Sequence, residues 1–156
     1  MSDNELLGKK VEFALPSSSG EEFVSNDHLP LVVYFYPKDN TPGCTIESMD
    51  FNKHLEDFQK LGYTVVGISK DSVKSHQSFC LKKGFNFELL SDEDGKVCEE
   101  FKVLKVKKMF GKEVKGIERS TFVLNEDSVV VKAWNKVSVD GHVEEIIEAL
   151  TQEDKN

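Results

Sequence analysis

Apolar positions along the chain fall into short runs of two periods, and their alternation outlines a fold. Val11-Glu12-Phe13-Ala14-Leu15, a polar turn around Ser17 to Gly20, and Glu22-Phe23-Val24 form the pattern of a β-hairpin. Leu31-Val32-Val33-Tyr34-Phe35-Tyr36 is a continuous apolar run of β-branched and aromatic residues, which predicts a strand buried on both faces. From Thr45 to about Lys60, Phe51, Leu55 and Phe58 recur at i, i+4, i+7 and predict one helix. Tyr63 to Ser69 is again a short apolar strand. Together these segments make a βαβ unit with parallel strands and a right-handed crossover.

The second half of the chain reads similarly. A helix is expected from about Ser72 to Lys83, with Gly84 as its C-cap, followed by a short strand from Phe87 to Leu90. Asp92-Glu93-Asp94-Gly95 is a turn or N-cap cluster leading into a short helix through Val97 and Phe101. The stretch 102–118 is rich in Lys and Gly and is expected to be irregular. Ser120 to Leu124 and Ser128 to Trp134 are two strands joined by Asn125-Glu126-Asp127. Val143, Ile146, Ile147 and Leu150 then mark an amphipathic helix that Asp140 would cap. The order describes an α/β sandwich around a mixed sheet, and 156 residues suit a single domain, 1–156.

Composition narrows the function. A net charge of −8, from 28 acidic and 20 basic residues, argues against nucleic acid or an anionic membrane as the main partner. No apolar run approaches the ~20 residues that span a bilayer. The opening Met1-Ser2-Asp3-Asn4-Glu5 is the opposite of a signal peptide, so a cytoplasmic location is expected. Cys44, Cys80 and Cys98 are an odd number, which points to catalytic or redox use more than to a disulfide framework. The four histidines, His28, His54, His76 and His142, are scattered, and no C-x-x-C or H-x-x-x-H occurs, so a zinc site has little support. The lysines at 102, 105, 107, 108, 112 and 115 read as a solvated loop.

Chemistry concentrates in Tyr36-Pro37-Lys38-Asp39-Asn40-Thr41-Pro42-Gly43-Cys44-Thr45. Cys44 stands between a predicted strand and a predicted helix, where backbone N–H groups and the helix dipole favour the thiolate, the reactive form. Thr41 offers a hydroxyl three residues upstream. A cation should complete the site. Of the 20 basic residues, 19 are Lys; the single Arg, Arg119, opens a predicted core strand. Its guanidinium presents two parallel donors to a pair of oxygens, a geometry Lys does not reproduce.

Pro37-x-x-x-Thr41-x-x-Cys44 resembles the peroxiredoxin active-site pattern, and the surrounding string resembles the bacterioferritin-comigratory-protein, or peroxiredoxin Q, subfamily. The resemblance continues in 90–95, in Glu118-Arg119-Ser120-Thr121-Phe122 and in 136–142, and so covers nearly the whole chain. It implies a thioredoxin-like fold, with helices on both faces of a central mixed sheet and an N-terminal β-hairpin. It also implies a thiol-dependent peroxidase acting on hydrogen peroxide and organic hydroperoxides, with no metal or organic cofactor. Cys44 would be the nucleophile that becomes a sulfenic acid. Thr41 Oγ, the Cys44 N–H and Arg119 would be the donors to the peroxide oxygens. Pro37 would shield the thiolate, and Glu47, on the same helical face, would orient Arg119.

In much of the subfamily a resolving cysteine lies five residues after the nucleophile, but position 49 is Met. Cys80 resembles the resolving cysteine of the alternative subtype, on the 72–83 helix. Cys98, read as a buried small hydrophobe, and an external thiol are the other candidates. A disulfide needs Cα atoms within ~7 Å, so Cys44 and Cys80 are expected to meet only if the first turn of one helix and much of the other unfold locally. The resemblance further implies thioredoxin as reductant and a monomeric state. The competing reading is a thioredoxin-fold redox sensor or holdase in which Cys44 oxidation is a signal. A C-x-x-C oxidoreductase is disfavoured because position 47 is Glu, and a cysteine hydrolase because no histidine is tied to the Cys44 loop.

Overall fold

The computed structural model describes residues 5–154; Met1 to Asn4, Lys155, Asn156 and the side chains of Lys107, Met109, Glu153 and Asp154 lie outside that description. Five strands form the central sheet in the order β5 (Glu88–Ser91), β4 (Thr64–Ser69), β3 (Leu31–Phe35), β8 (Ser120–Leu124) and β9 (Val130–Trp134). β3 pairs in parallel with β4, which pairs in parallel with β5, whereas β8 runs antiparallel to β3 and to β9. The sheet is therefore mixed, as expected.

Every residue of β3 is buried, and its alternation divides the core in two. Val32, Tyr34 and Tyr36 face a cluster with Phe51 of α1 (Pro42–Lys53), Leu55 and Phe58 of α2 (Leu55–Lys60), Phe79 of α3 (Val73–Lys83), and Val143, Ile146 and Leu150 of α5 (His142–Asp154). Leu31, Val33 and Phe35 face the opposite cluster with Val97 and Cys98 of α4 (Lys96–Glu100). The N-terminal hairpin, β1 (Ala14–Pro16) and β2 (Glu22–Val24), adds Leu15 and Phe23 to that second cluster. Helices thus cover both faces.

Three expectations need correction. The stretch 102–118 is not irregular: β6 (Leu104–Met109) and β7 (Lys112–Ile117) form an antiparallel hairpin. Its turn residues Phe110 (φ 54°) and Gly111 (φ 77°) are both left-handed, as a two-residue hairpin turn of the primed type demands. Phenylalanine carries no signature for that conformation, so the turn is hidden in the sequence. The helix expected over 45–60 begins earlier, with Pro42 as its first helical residue, and breaks at His54 (φ −101°, ψ 12°). Just before the break, the Asn52 amide donates to the Gly84 carbonyl at 3.3 Å and accepts the Asn86 N–H at 2.7 Å, tying the end of α1 to the loop after α3. At the last helix the first turn is closed by Glu145 N–H donating to the Gly141 carbonyl at 3.1 Å, so Gly141 occupies the capping position expected of Asp140. At α3 the expected C-cap is present, Gly84 being left-handed at φ 71°, and Ser72, expected as a helical residue, is instead the N-cap, its Oγ accepting the Ser75 N–H at 3.1 Å.

Gly67 of β4 lies against Tyr34, whose ring stacks on Phe51 at 4.3 Å and whose hydroxyl bonds Ser48 Oγ at 2.7 Å. A Cβ at position 67 would sit 2.7 Å from Tyr34 Cζ and 2.9 Å from Leu89 Cδ2. Both neighbours are fixed, so Gly67→Ala is expected to destabilise the fold by roughly 1–3 kcal/mol, the usual cost of overpacking. Urea denaturation checks this, and an unchanged midpoint would contradict it.

Candidate active site

The loop after β3 turns at Asn40 (φ 63°) and enters α1 with Thr41 as N-cap, Pro42 and Gly43 next, and Cys44 third. The first intrahelical hydrogen bond runs from Thr45 N–H to the Thr41 carbonyl at 2.9 Å. The amides of Gly43 and Cys44 stand in the turn before it, where helical N–H groups lack intrahelical acceptors. The thiol is only 1% exposed.

Arg119, just ahead of β8, reaches across to this turn. Its Nη2 donates to Cys44 Sγ at 3.5 Å and its Nη1 to Glu47 Oε1 at 2.6 Å. One guanidinium thus joins the thiol to the carboxylate one helical turn later. Burial opposes the Arg119 charge, but Glu47 and then Cys44 outweigh it and raise its pKa. Burial pushes the Glu47 carboxyl up from 4.5 to about 7, against the pull of Arg119. Among the described residues, Glu47 Oε2 is the one buried side-chain oxygen or nitrogen without a hydrogen-bond partner.

Gly43 is a site residue that the sequence reasoning missed. A Cβ there would lie 3.2 Å from Arg119 Nη2, so the missing side chain leaves room for the guanidinium. Thr41 is placed differently from the expected donor: its hydroxyl donates to the Lys38 carbonyl at 2.8 Å. The left-handed Asn40 folds the loop back far enough for that contact. The hydroxyl proton is therefore engaged within the loop. Pro37 is exposed on the same loop.

The other two thiols occupy opposite faces of the sheet. Cys80, near the end of α3, is half-buried against the same cluster as Cys44, and its Sγ donates to Ser18 Oγ at 3.7 Å. Burial raises its pKa, partly offset by Ser18. Cys98 belongs to the other cluster, and burial followed by Asp92 pushes its thiol far up. All three cysteines are free. Met49, where the commoner subtype has its resolving thiol, is 49% exposed on α1.

Asp39, Asp71 and His76 bring possible metal ligands within 4.8 Å of one another. Their acceptors are already engaged. Asp39 Oδ1 accepts Tyr36 OH at 2.6 Å, and Oδ2 accepts Ser75 Oγ at 2.8 Å and faces His76 Nδ1 at 2.8 Å. Asp71 Oδ2 accepts Ser69 Oγ at 2.7 Å and the Asp39 N–H at 2.8 Å. The three residues belong to one hydrogen-bond network. Sequence reading left His76 among four scattered histidines.

Residues 7–133 match the AhpC/TSA family. The chain belongs to that family. Within it, the chain is 49% identical over 148 residues to Peroxiredoxin Bcp of Xanthomonas campestris, covering 94% of this chain and 92% of that protein. A putative peroxiredoxin bcp of Coxiella burnetii is 50% identical, covering 92% and 97%. Among solved structures, Xanthomonas campestris Peroxiredoxin Q superimposes with a TM-score of 0.86 at 50% identity, covering 90% of each chain. A Xylella fastidiosa PrxQ with one cysteine replaced by serine gives 0.89 at 42% identity, covering 95% and 96%. This chain accordingly has the thioredoxin-like peroxiredoxin fold of the Bcp and Q type.

The raised Glu47 carboxyl fixes the sign of a pH effect. A carboxyl that holds its proton more tightly when folded favours the fold at low pH, and that advantage is lost as pH rises from about 4.5 through about 7. Over this window the protein should lose stability relative to its Glu47→Gln variant, with a constant difference above it. Urea midpoints of the two proteins against pH measure this; parallel curves would contradict it.

Proposed function

We propose that the protein is a thiol-dependent peroxidase that reduces hydrogen peroxide and organic hydroperoxides to water and alcohols through Cys44. The observation that carries this reading is the Arg119 guanidinium, 3.5 Å from a buried thiol and held there by Glu47. A peroxide bound beside them meets sulfur on one oxygen and the cation on the other. The Sγ–O bond forms as the O–O bond breaks: sulfur is oxidised to the sulfenic acid, and the leaving oxygen departs with the electron pair and a proton as water or alcohol. Donors aimed at that oxygen stabilise the charge as it moves off sulfur. Arg119, the Cys44 N–H and, once freed from Lys38, Thr41 Oγ are assigned this role. Pro37 keeps its proposed place as a shield on the loop.

The family match and the Bcp and Q-type relatives support the same chemistry. One structure of the Xanthomonas protein concerns its alkyl peroxide reduction activity. Cys80 is assigned as the resolving thiol. It shares a cluster with Cys44, whereas Cys98 lies across the sheet. Structures of the Xanthomonas protein exist for two cysteine-to-serine variants whose positions have the same sequence spacing as Cys44 and Cys80. Condensation of the sulfenic acid with Cys80 forms an intramolecular disulfide and releases water, and a dithiol of the thioredoxin kind reduces it. Both thiols belong to one chain, so a monomer suffices. Among the described residues no helix is long and apolar enough to cross a membrane. Free cysteines suit the reducing cytoplasm assigned here.

Peroxide consumption coupled to thioredoxin, thioredoxin reductase and NADPH tests the proposal. Turnover should saturate, vanish in Cys44→Ser, and lose about 100-fold or more in kcat/KM in Arg119→Ala, the usual scale for removing one charge-stabilising donor. Absence of turnover with Cys44 intact would overturn the enzyme reading and leave the sensor or holdase in its place.

A further inference from the structure

The helix that carries Cys80 is lightly anchored. Of the eleven residues of α3, only His76 and Phe79 are buried. Phe79 packs edge-on against Phe85, with ring centroids 5.0 Å apart. His76 is different: it is fully buried, and its ring bridges two other parts of the molecule. Its Nδ1 lies 2.8 Å from Asp39 Oδ2, and its Nε2 lies 2.9 Å from the Leu90 carbonyl. Each ring nitrogen thus faces an oxygen that accepts hydrogen bonds, one on the Cys44 loop and one at the end of β5.

Asp39 belongs to the loop that delivers Cys44. Its carboxylate collects Tyr36 OH, Ser75 Oγ and His76 Nδ1, and its own N–H donates to Asp71 ahead of α3. Burial opposes the Asp39 charge, but His76, Tyr36 and Ser75 together hold the carboxyl below its ordinary value. The segments bearing the two thiols therefore share one buried, charge-assisted contact. Any opening that parts Asp39 from His76 has to break it.

We propose that the Asp39–His76 pair is a latch, a positioning contact that keeps the Cys44 loop and the Cys80 helix closed together and sets the rate at which the two thiols can meet. This rests on the peroxidase reading above. The step it controls condenses Cys44–SOH with Cys80–SH: the S–S bond forms, and the sulfenic oxygen leaves as water with the thiol proton. A tight latch keeps Cys44 in its peroxide-binding geometry but prolongs the sulfenic acid, which a second peroxide oxidises to sulfinic acid.

Two measurements on the full chain test it, with Asp39→Asn, His76→Gln and the double variant. After one equivalent of peroxide, acid quench, thiol alkylation and mass spectrometry separate sulfenic acid formation from disulfide formation. Either single variant should speed the disulfide step about tenfold, as expected for losing a hydrogen bond to a buried charge. The double variant should be no faster than the quicker single, because both remove the same contact. In the reduced protein, amide exchange should lose protection in 37–41 and 73–83 together. If His76→Gln does not fold, Ser75→Ala removes one donor from Asp39 and should give a smaller acceleration of the same kind. Unchanged or slower disulfide formation would overturn the latch, as would multiplicative singles or loss of protection in α3 alone. Should the parent protein form no Cys44–Cys80 disulfide, the resolving assignment fails. Hydrogen exchange then still decides whether the two segments open as one unit.

Discussion

The buried ion pair between Arg119 and Glu47, 2.6 Å from nitrogen to oxygen, is the contact on which the rest of the site depends. It joins the first turns of α1 to the residue preceding β8, two segments far apart in sequence, and aims the second guanidinium nitrogen at Cys44. A buried pair of this kind is not a cheap source of stability, because desolvation cancels much of the attraction. Glu47 shows that cost: its carboxyl is raised and its second oxygen has no partner. What the pair supplies is direction. An arginine free to swing into solvent would still be a cation, but not one fixed beside a thiol.

The surroundings follow from that constraint. Gly43 has no Cβ where one would crowd the guanidinium, Pro42 starts the helix, and β3 buries the loop's base on both faces. The three cysteines then differ by position alone. Cys44 sits at a helix start beside a cation, Cys80 on a thinly anchored helix over the same cluster, and Cys98 deep on the far side of the sheet. Identical side chains thus acquire three different environments.

Much of this was legible before any coordinates. The all-apolar run of β3, the capped α3 and the 3.6-residue rhythm of α5 are strong local signals, and structure and expectation agree there. The β6–β7 hairpin is hidden because its left-handed turn uses Phe110, and the break at His54 because the tertiary bonds of Asn52 to Gly84 and Asn86 leave no local pattern. At the site, Cys44 and Arg119 stood out by loop position and by rarity. Gly43's role and the Asp39–His76 contact did not, because each depends on tertiary placement. Parallel pairing of β3, β4 and β5 brings the loop after Tyr36, the turn at Asp71 and the end of β5 to one end of the sheet, beyond the strands' C-termini. Only there do Asp39, Asp71, His76 and the Leu90 carbonyl become neighbours.

The central claim is that one buried thiol reacts with peroxide and is then resolved from a helix that must open to reach it. Mass spectrometry of the reduced protein after a single equivalent of peroxide tests both halves at once. The account predicts a peptide linking Cys44 to Cys80, with Cys98 still free. A stable Cys44 sulfenic or sulfinic acid beside a free Cys80 would contradict it.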